Sequence, residues 1–327
     1  MLSGVKRLIA GILMVLALLL SGASILISRL PAVNISVNRN TAVSDVNVVK
    51  SASSTTIALF GVDSRNENSV SGLSDTVILA NINNEDNTVK LVSVLRDSLV
   101  NIENYGQRKL CEAYSLGGAK LALKTINGNF NLDVNNYVTV NFAGLVSIID
   151  TLGGVEIEVL EDEVKEVNGL GDEICRTMGE NSHHIKGAGR QTLNGIQAVA
   201  WSRIRHIKAS SGENNDFGRT SRQRELLLKI YEKIREMPKT AYFSLAKTVM
   251  QYTETSLSAA DIAKYAAIYF KEPQIITDRL PADNMIKNSG KINGVWAVSY
   301  DLANGGNALK EFFKNGTPIC DYAKISR

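Results

Sequence analysis

The chain has 327 residues, of which 36 are basic and 33 acidic, for a net charge of +3. This even balance excludes a general polyanion binder and leaves any strong basic character local. Its three cysteines, Cys111, Cys175 and Cys320, are too few and too widely spaced for a disulfide scaffold or a zinc site, although one pair could bridge outside the cell.

Residues 1–7 form a short tail carrying Lys6 and Arg7, and residues 8–28 are an uncharged run of 21. About 20 apolar residues in a helix cross a bilayer, so this run predicts a transmembrane anchor. The cations before it place the tail in the cytoplasm and everything after Arg29 outside. A signal peptide cleaved near Ser21-Gly22-Ala23-Ser24 is the alternative, but Ile25-Leu26-Ile27 continue the apolar run past that point. Both readings export the domain. Residues 29–54, rich in Asn, Ser, Thr and Val without helical periodicity, suit a stalk. The exported domain spans 55–327, with 283–327 as a small extension.

Thr56 to Val62 is a β-branched, apolar run that predicts a strand ending at Asp63. Two further β-rich runs, Thr76 to Ile82 and Val89 to Leu95, flank the turn-forming Asn83-Asn84-Glu85-Asp86-Asn87 and predict an antiparallel hairpin. A turn centred on Glu85-Asp86 sets Asp75, entering the first strand, opposite Arg96, leaving the second. Asp63 is then a neighbour at the same end, where ligands of layered α/β folds collect. Taken singly, these residues describe an ion pair on a sheet edge and a turn cap.

Helical stretches are expected at Ala119 to Gly128 and Phe142 to Leu152, punctuated by Gly117-Gly118 and Gly153-Gly154. Their apolar residues, among them Leu121, Ile126, Leu145 and Ile148, read as core. His183-His184 and the isolated His206 read as surface loop, since no third metal ligand stands at useful spacing.

Between Trp201 and Arg224 the chain places five arginines. Arginine is always charged and grips phosphate oxygens with a rigid fork, so the cluster has the composition of a pyrophosphate site. A solvated basic face that binds nucleic acid is the alternative, but an exported cleft does not meet chromosomal DNA. Leu193, Ile196, Ala200 and Arg203 share one face of a helix opened by Asn194-Gly195. In the next helix, beginning near Gly218, Arg219 and Gln223 fall on a stripe that is apolar farther along. Arg203 and Arg219 therefore point inward, with Arg205 beside Arg203, and an inward arginine is costly unless an anion meets it. Arg222 and Arg224 fall off the stripe and read as solvated.

After Ile230 come amphipathic helices at Tyr242 to Tyr252 and Leu257 to Phe270 and a strand at Gln274 to Thr277. A loop from Leu280 to Asn293, glycine-rich Asn304 to Asn307 and a short helix at Leu309 to Phe313 complete the chain. This order predicts an α/β domain, a three-layer αβα sandwich with a mixed central sheet behind the anchor.

Several segments in order carry a resemblance: Gly61-Val62-Asp63-Ser64-Arg65, Ser74-Asp75-Thr76, Ser93-Val94-Leu95-Arg96-Asp97, Ala113-Tyr114-Ser115-Leu116-Gly117-Gly118, Asp150-Thr151-Leu152-Gly153-Gly154-Val155, Leu193-Asn194-Gly195-Ile196-Gln197-Ala198, Arg203-Ile204-Arg205 and Asp216-Phe217-Gly218-Arg219-Thr220-Ser221-Arg222-Gln223-Arg224. Together, from about Thr56 to Ile230, they resemble the motifs of the LytR-CpsA-Psr family. The resemblance implies a membrane-anchored enzyme on the outer face of a bacterial, usually Gram-positive, membrane. Such an enzyme moves a teichoic acid or capsular glycopolymer from a polyprenyl pyrophosphate carrier onto peptidoglycan. It also places the family's magnesium ligands, with manganese as the alternative metal, on Asp63 and Asp75. Its pyrophosphate-binding groups fall on Arg96, Arg203, Arg205, Arg219 and Gln223, with Arg65 and Asp216 near the site. The chain departs from the pattern at Leu95, where a proline is usual, and at Leu73, where an arginine is common. The loop between Arg205 and Asp216 is also longer than usual.

Asp97 and Asp216 are then the candidates for removing the proton of an attacking sugar hydroxyl. Two other readings use the same site: a non-catalytic lipid-pyrophosphate binder that regulates the envelope, and a pyrophosphatase that passes the glycan phosphate to water.

Overall fold

Strand β1 (Ser54–Val62) is apolar on both sides because both of its faces are covered. Ile57 and Leu59 enter one core, and Ala58, Phe60 and Val62 enter another. The computed structural model describes residues 54–64, 71–258, 260, 261, 264, 265, 268, 273–292 and 294–325. The tail, the apolar run and nearly all of the stalk lie outside the described residues, as do Arg65 and most of the helix expected at 257–270. Among the described residues no helix is long and apolar enough to cross a membrane.

Strands β2 (Ser74–Asn83) and β3 (Thr88–Val94) form the expected hairpin, with Ile78 opposite Ser93 and Asn83 opposite Thr88. Asn87 takes the left-handed conformation the turn needs, at φ 50. A short ladder of β4 (Leu99–Ile102) and β5 (Gly106–Lys109) follows, then helix α1 (Leu110–Phe130). The Gly117-Gly118 pair is a kink between two helical segments, with Gly118 at φ 63. The helix thus starts at Leu110, seven residues earlier than the glycine pair suggests.

Strand β6 (Asn136–Asn141) leads into α2 (Phe142–Thr151), whose exit turns at Gly153 and Gly154 with φ 77 and 88, as expected. Next come β7 (Val155–Val159), α3 (Glu163–Met178), β8 (Gly189–Leu193) and α4 (Gly195–Arg203). Asn194 and Gln197 close a capping box at the start of α4. The long α5 (Asn215–Glu236) and α6 (Tyr242–Tyr252) precede β9 (Thr253–Thr255) and β10 (Gln274–Leu280).

The segment read as loop after Leu280 holds β11 (Ile286–Ile292), paired with β12 (Val295–Tyr300). The glycine-rich 304–307 lies inside α7 (Leu302–Asn315), which Asp301 caps through its bond from the Asn304 amide. Helix α8 (Ile319–Ile325) ends the described chain.

The central sheet runs β10-β3-β2-β1-β6-β9. β1 pairs antiparallel with β2 and parallel with β6, so the sheet is mixed. Helices α2, α4, α5 and α6 cover one face, burying Ile149, Trp201, Leu226 and Leu245. Helices α1 and α7 cover the other with Leu123, Ile126, Leu309 and Phe312, joined by Ile319 of α8. This is the three-layer αβα architecture.

Candidate active site

The end of the sheet where β1 stops and β2 starts collects the acidic residues. The amides of Asp63 and Asp75 both donate to the Leu73 carbonyl, at 3.0 and 3.1 Å, so the two aspartates flank one backbone oxygen. Asp63 is exposed and Asp75 half-buried. The hairpin register carries Arg96 to Asp75, and its Nη1 donates to Oδ1 at 2.6 Å.

Helices α4 and α5 bring the other arginines from behind. Arg205 Nη2 and Arg219 Nη1 each stand 4.0 Å from Asp75 Oδ2, too far for a hydrogen bond. Asp216, in the first turn of α5, lies 3.2 Å from Arg219 Nη2 and 3.4 Å from Arg205 Nε. Arg203 lies over the Phe142 ring at 5.1 Å and reaches Glu173 at 3.4 Å. Asp97 pairs with Lys109, the last residue of β5, at 3.1 Å, a partner with no local sequence signal, and with Arg96 Nε at 3.7 Å.

Arg96, Arg205 and Arg219 thus meet around Asp75, the last two also around Asp216, and Arg203 and Gln223 share a pocket with Asp75. Arg222 is buried and Arg224 half-buried, against expectation. The Arg222 side chain is 1% exposed on Glu163, and that of Arg224 14% exposed against Glu213 at 3.5 Å. Burial holds the Arg224 guanidinium below its ordinary pKa.

The charge balance favours an anionic guest. Burial, and then repulsion from Arg96, pull the Arg219 pKa down to about 10. Three buried donors, Arg96 Nε and Arg219 Nε and Nη1, have no hydrogen-bond partner, and buried donors are almost always satisfied. Burial and a hydrogen bond with Asp216 raise the Asp97 carboxyl. Burial works against ionising Asp216, but that same hydrogen bond and the charges of Arg219, Arg96 and Arg205 outweigh it and hold Asp216 below the usual carboxylate range.

Two cavities join here. A polar pocket is lined by Asp75, Arg203, Arg205, Arg219 and Gln223, with Glu166 and His206 on its wall. Glu166 has no sequence motif, and His206, expected on a surface loop, stands on the pocket wall instead. Phe142 and Gln223 are shared with an apolar cavity between the sheet and helices α2 and α5. Leu59, Ile78, Leu145, Ile148, Leu226 and Ile230 line it. An anionic head and a long apolar tail match the two halves.

Among the described residues no group of three or more His, Cys, Asp and Glu could hold a metal. Magnesium, however, typically takes one or two carboxylates and completes its shell with phosphate oxygens and water. Asp63 and Asp75, adjacent through Leu73, fit that habit. His184 meets Asp172 at 2.8 Å on the surface, and Cys111, Cys175 and Cys320 are free thiols.

Comparison with known proteins follows the same direction. The chain is 33% identical over 216 residues to "Polyisoprenyl-teichoic acid--peptidoglycan teichoic acid transferase TagU" of Enterococcus faecalis, covering 65% of each chain. It is 27% identical over 267 residues to "Biofilm regulatory protein A" of Streptococcus mutans, covering 78% of this chain and 62% of that one. The chain therefore spans less than two thirds of these relatives' lengths. The solved structure "LytR-CPS2A-psr family protein YwtF (TagT) with bound octaprenyl pyrophosphate lipid" superposes with a TM-score of 0.58 at 20% identity, covering 87% of this chain and 98% of that one. It shares the fold. The model of the LytR_cpsA_psr family matches residues 27–307, and the chain belongs to that family.

Proposed function

We propose that the chain is a phosphotransferase that moves a glycopolymer, of the teichoic acid or capsular type, from a polyprenyl pyrophosphate carrier onto peptidoglycan. The observation that carries this reading is a set of buried arginine donors without a hydrogen-bond partner, Nε and Nη1 of Arg219 on the wall of a cationic pocket and Nε of Arg96 on the guanidinium that pairs with Asp75, where the pocket shares Phe142 and Gln223 with an apolar cavity. The name of the Enterococcus relative and the octaprenyl pyrophosphate in the related structure support it. Residues 8–28 anchor the chain, and the domain works on the outer face of the membrane.

In this reading the prenyl tail lies along Leu145, Ile148, Leu226 and Ile230. The guanidinium groups of Arg96, Arg203, Arg205 and Arg219 hold the two phosphates, with the Gln223 amide beside them. A hydroxyl of the peptidoglycan sugar attacks the glycan-bearing phosphorus. The new P–O bond forms as the bond to the polyprenyl phosphate breaks, and that phosphate leaves with the electron pair. Asp216 takes the hydroxyl proton, with Asp97 hydrogen-bonded beside it. The arginines stabilise the charge that grows on the leaving phosphate. Magnesium held by Asp63 and Asp75 would supply further neutralisation of the pyrophosphate oxygens.

The test incubates the full-length chain in detergent with a polyprenyl-pyrophosphate glycan, magnesium and peptidoglycan oligomers, with products identified by mass. Arg96→Ala should cut transfer by about a hundredfold or more with the fold intact. Asp75→Asn should stop transfer while lipid binding largely survives, which separates an enzyme from a binder. Wild-type transfer by Arg96→Ala refutes the reading, and glycan phosphate released to water marks a pyrophosphatase instead.

A further inference from the structure

Beneath the arginine pocket lies a second ionic group that touches no part of either cavity. The Glu163 carboxylate, at the start of α3, accepts from Arg222 Nε at 2.8 Å and pairs with Nη2 at 2.7 Å through Oε1. Through Oε2 it accepts from Trp201 Nε1 at 2.9 Å and from the Leu160 amide at 3.0 Å. The rest of the Arg222 fork donates to two backbone carbonyls, Ile204 at 3.3 Å and Ile207 at 3.0 Å. Those carbonyls stand on either side of Arg205. Trp201 precedes Arg203 by two residues in α4, and Arg222 follows Arg219 by three in α5. One buried cation therefore grips the backbone that presents Arg203 and Arg205, from the helix that presents Arg219 and Asp216.

Helix cohesion does not require this chemistry, because a buried ion pair contributes little that well-packed apolar side chains of similar volume do not. The directionality is what an apolar pair cannot reproduce. The like charges of Arg96, Arg205 and Arg219 must be held close against mutual repulsion, and the segment from Ile204 to Ile207 has no helix or strand of its own to fix it. Hydrogen bonds to its carbonyls from a rigid planar fork fix both its position and its rotation.

We infer that Arg222, clamped by Glu163, is a positioning residue that sets Arg203 and Arg205 in register with Arg219 for pyrophosphate binding. The inference rests on the pyrophosphate reading of the pocket above. Arg222→Lys keeps a charge for Glu163 but cannot reach both carbonyls. The pair Glu163→Leu with Arg222→Met keeps volume and removes the clamp without leaving a lone buried charge.

The test measures thermal midpoint, binding of inorganic pyrophosphate and binding of a prenyl alcohol, for the full-length chain in detergent. Arg222→Lys should lower the midpoint without loss of the fold and keep the prenyl alcohol affinity, while pyrophosphate affinity falls by about tenfold or more, as when the support behind a ligand-binding group is lost. The apolar pair, where it folds, should lose at least as much. Arg222→Lys that binds pyrophosphate as tightly as wild type overturns the positioning role, and so does parallel loss of both ligands, which marks general damage. Wild-type chain that binds no pyrophosphate removes the reading of the pocket itself, a separate failure that takes the inference with it.

Discussion

Cys111 forms part of the wall behind the site: its amide donates to the Arg96 carbonyl at 3.0 Å, and its own carbonyl accepts from Ser74 Oγ at 3.4 Å. Burial pushes its thiol up to about 12, Arg96 nearby notwithstanding. A raised thiol pKa means a protonated, unreactive sulfur at neutral pH. At about pH 8, iodoacetamide should therefore label exposed Cys320 and leave Cys111 untouched in the folded chain. Mass mapping that finds Cys111 labelled as fast as Cys320 contradicts the burial. Single residues differ in how far local spacing betrays them. Arg219 and Gln223 were legible because a helical stripe of known period runs through both into Leu226 or Leu227 and Ile230. Arg222 was not, since it stands beside that stripe and its partner Glu163 lies 59 residues away in sequence. Arg224 escaped for the same reason, its carboxylate Glu213 belonging to a loop with no regular period.

Helix α7 shows how close packing overrides composition. An ideal Cβ on Gly306 would meet the Phe130 carbonyl at 2.0 Å, so two helices touch backbone to backbone there. Two glycines in a row read as a break, yet here they permit contact. Gly306→Ala should cost about 1–3 kcal/mol through overpacking, whereas Gly128→Ala, exposed on α1 with nothing within 4 Å, should gain about 0.5–1 kcal/mol. Thermal unfolding of the two variants measures both signs, and equal effects would refute the contact. The β2–β3 hairpin was readable because its turn residues fix the register and the register alone brings Asp75 to Arg96. The β11–β12 ladder was hidden by Pro281, Gly290 and interspersed lysines, which mimic a loop. Its pairing is set by tertiary packing of Val298 and Tyr300 into the core beneath α1 and α7.

At the scale of the molecule, the joined cavities divide recognition between head and tail. Leu145→Trp should fill the apolar cavity and weaken octaprenyl pyrophosphate by about tenfold, ~1.4 kcal/mol, with inorganic pyrophosphate unaffected. Calorimetric titration with both ligands checks this, and equal losses refute the division. Periodicity found apolar faces on α1 and α2 alike, but only Leu145 and Ile148 of those residues line the cavity. The α1 set packs on the opposite side of the sheet, because a stripe specifies that a helix is covered and not which layer covers it. The strand order has a temporal side as well. β3 is completed by β10, a strand that begins only at Gln274, so a chain emerging from its N-terminus leaves one margin of the sheet open until most of its length is out. An open margin of that kind invites pairing with a neighbouring chain, and the arginines from α4 and α5 emerge into a platform still lacking its last plank.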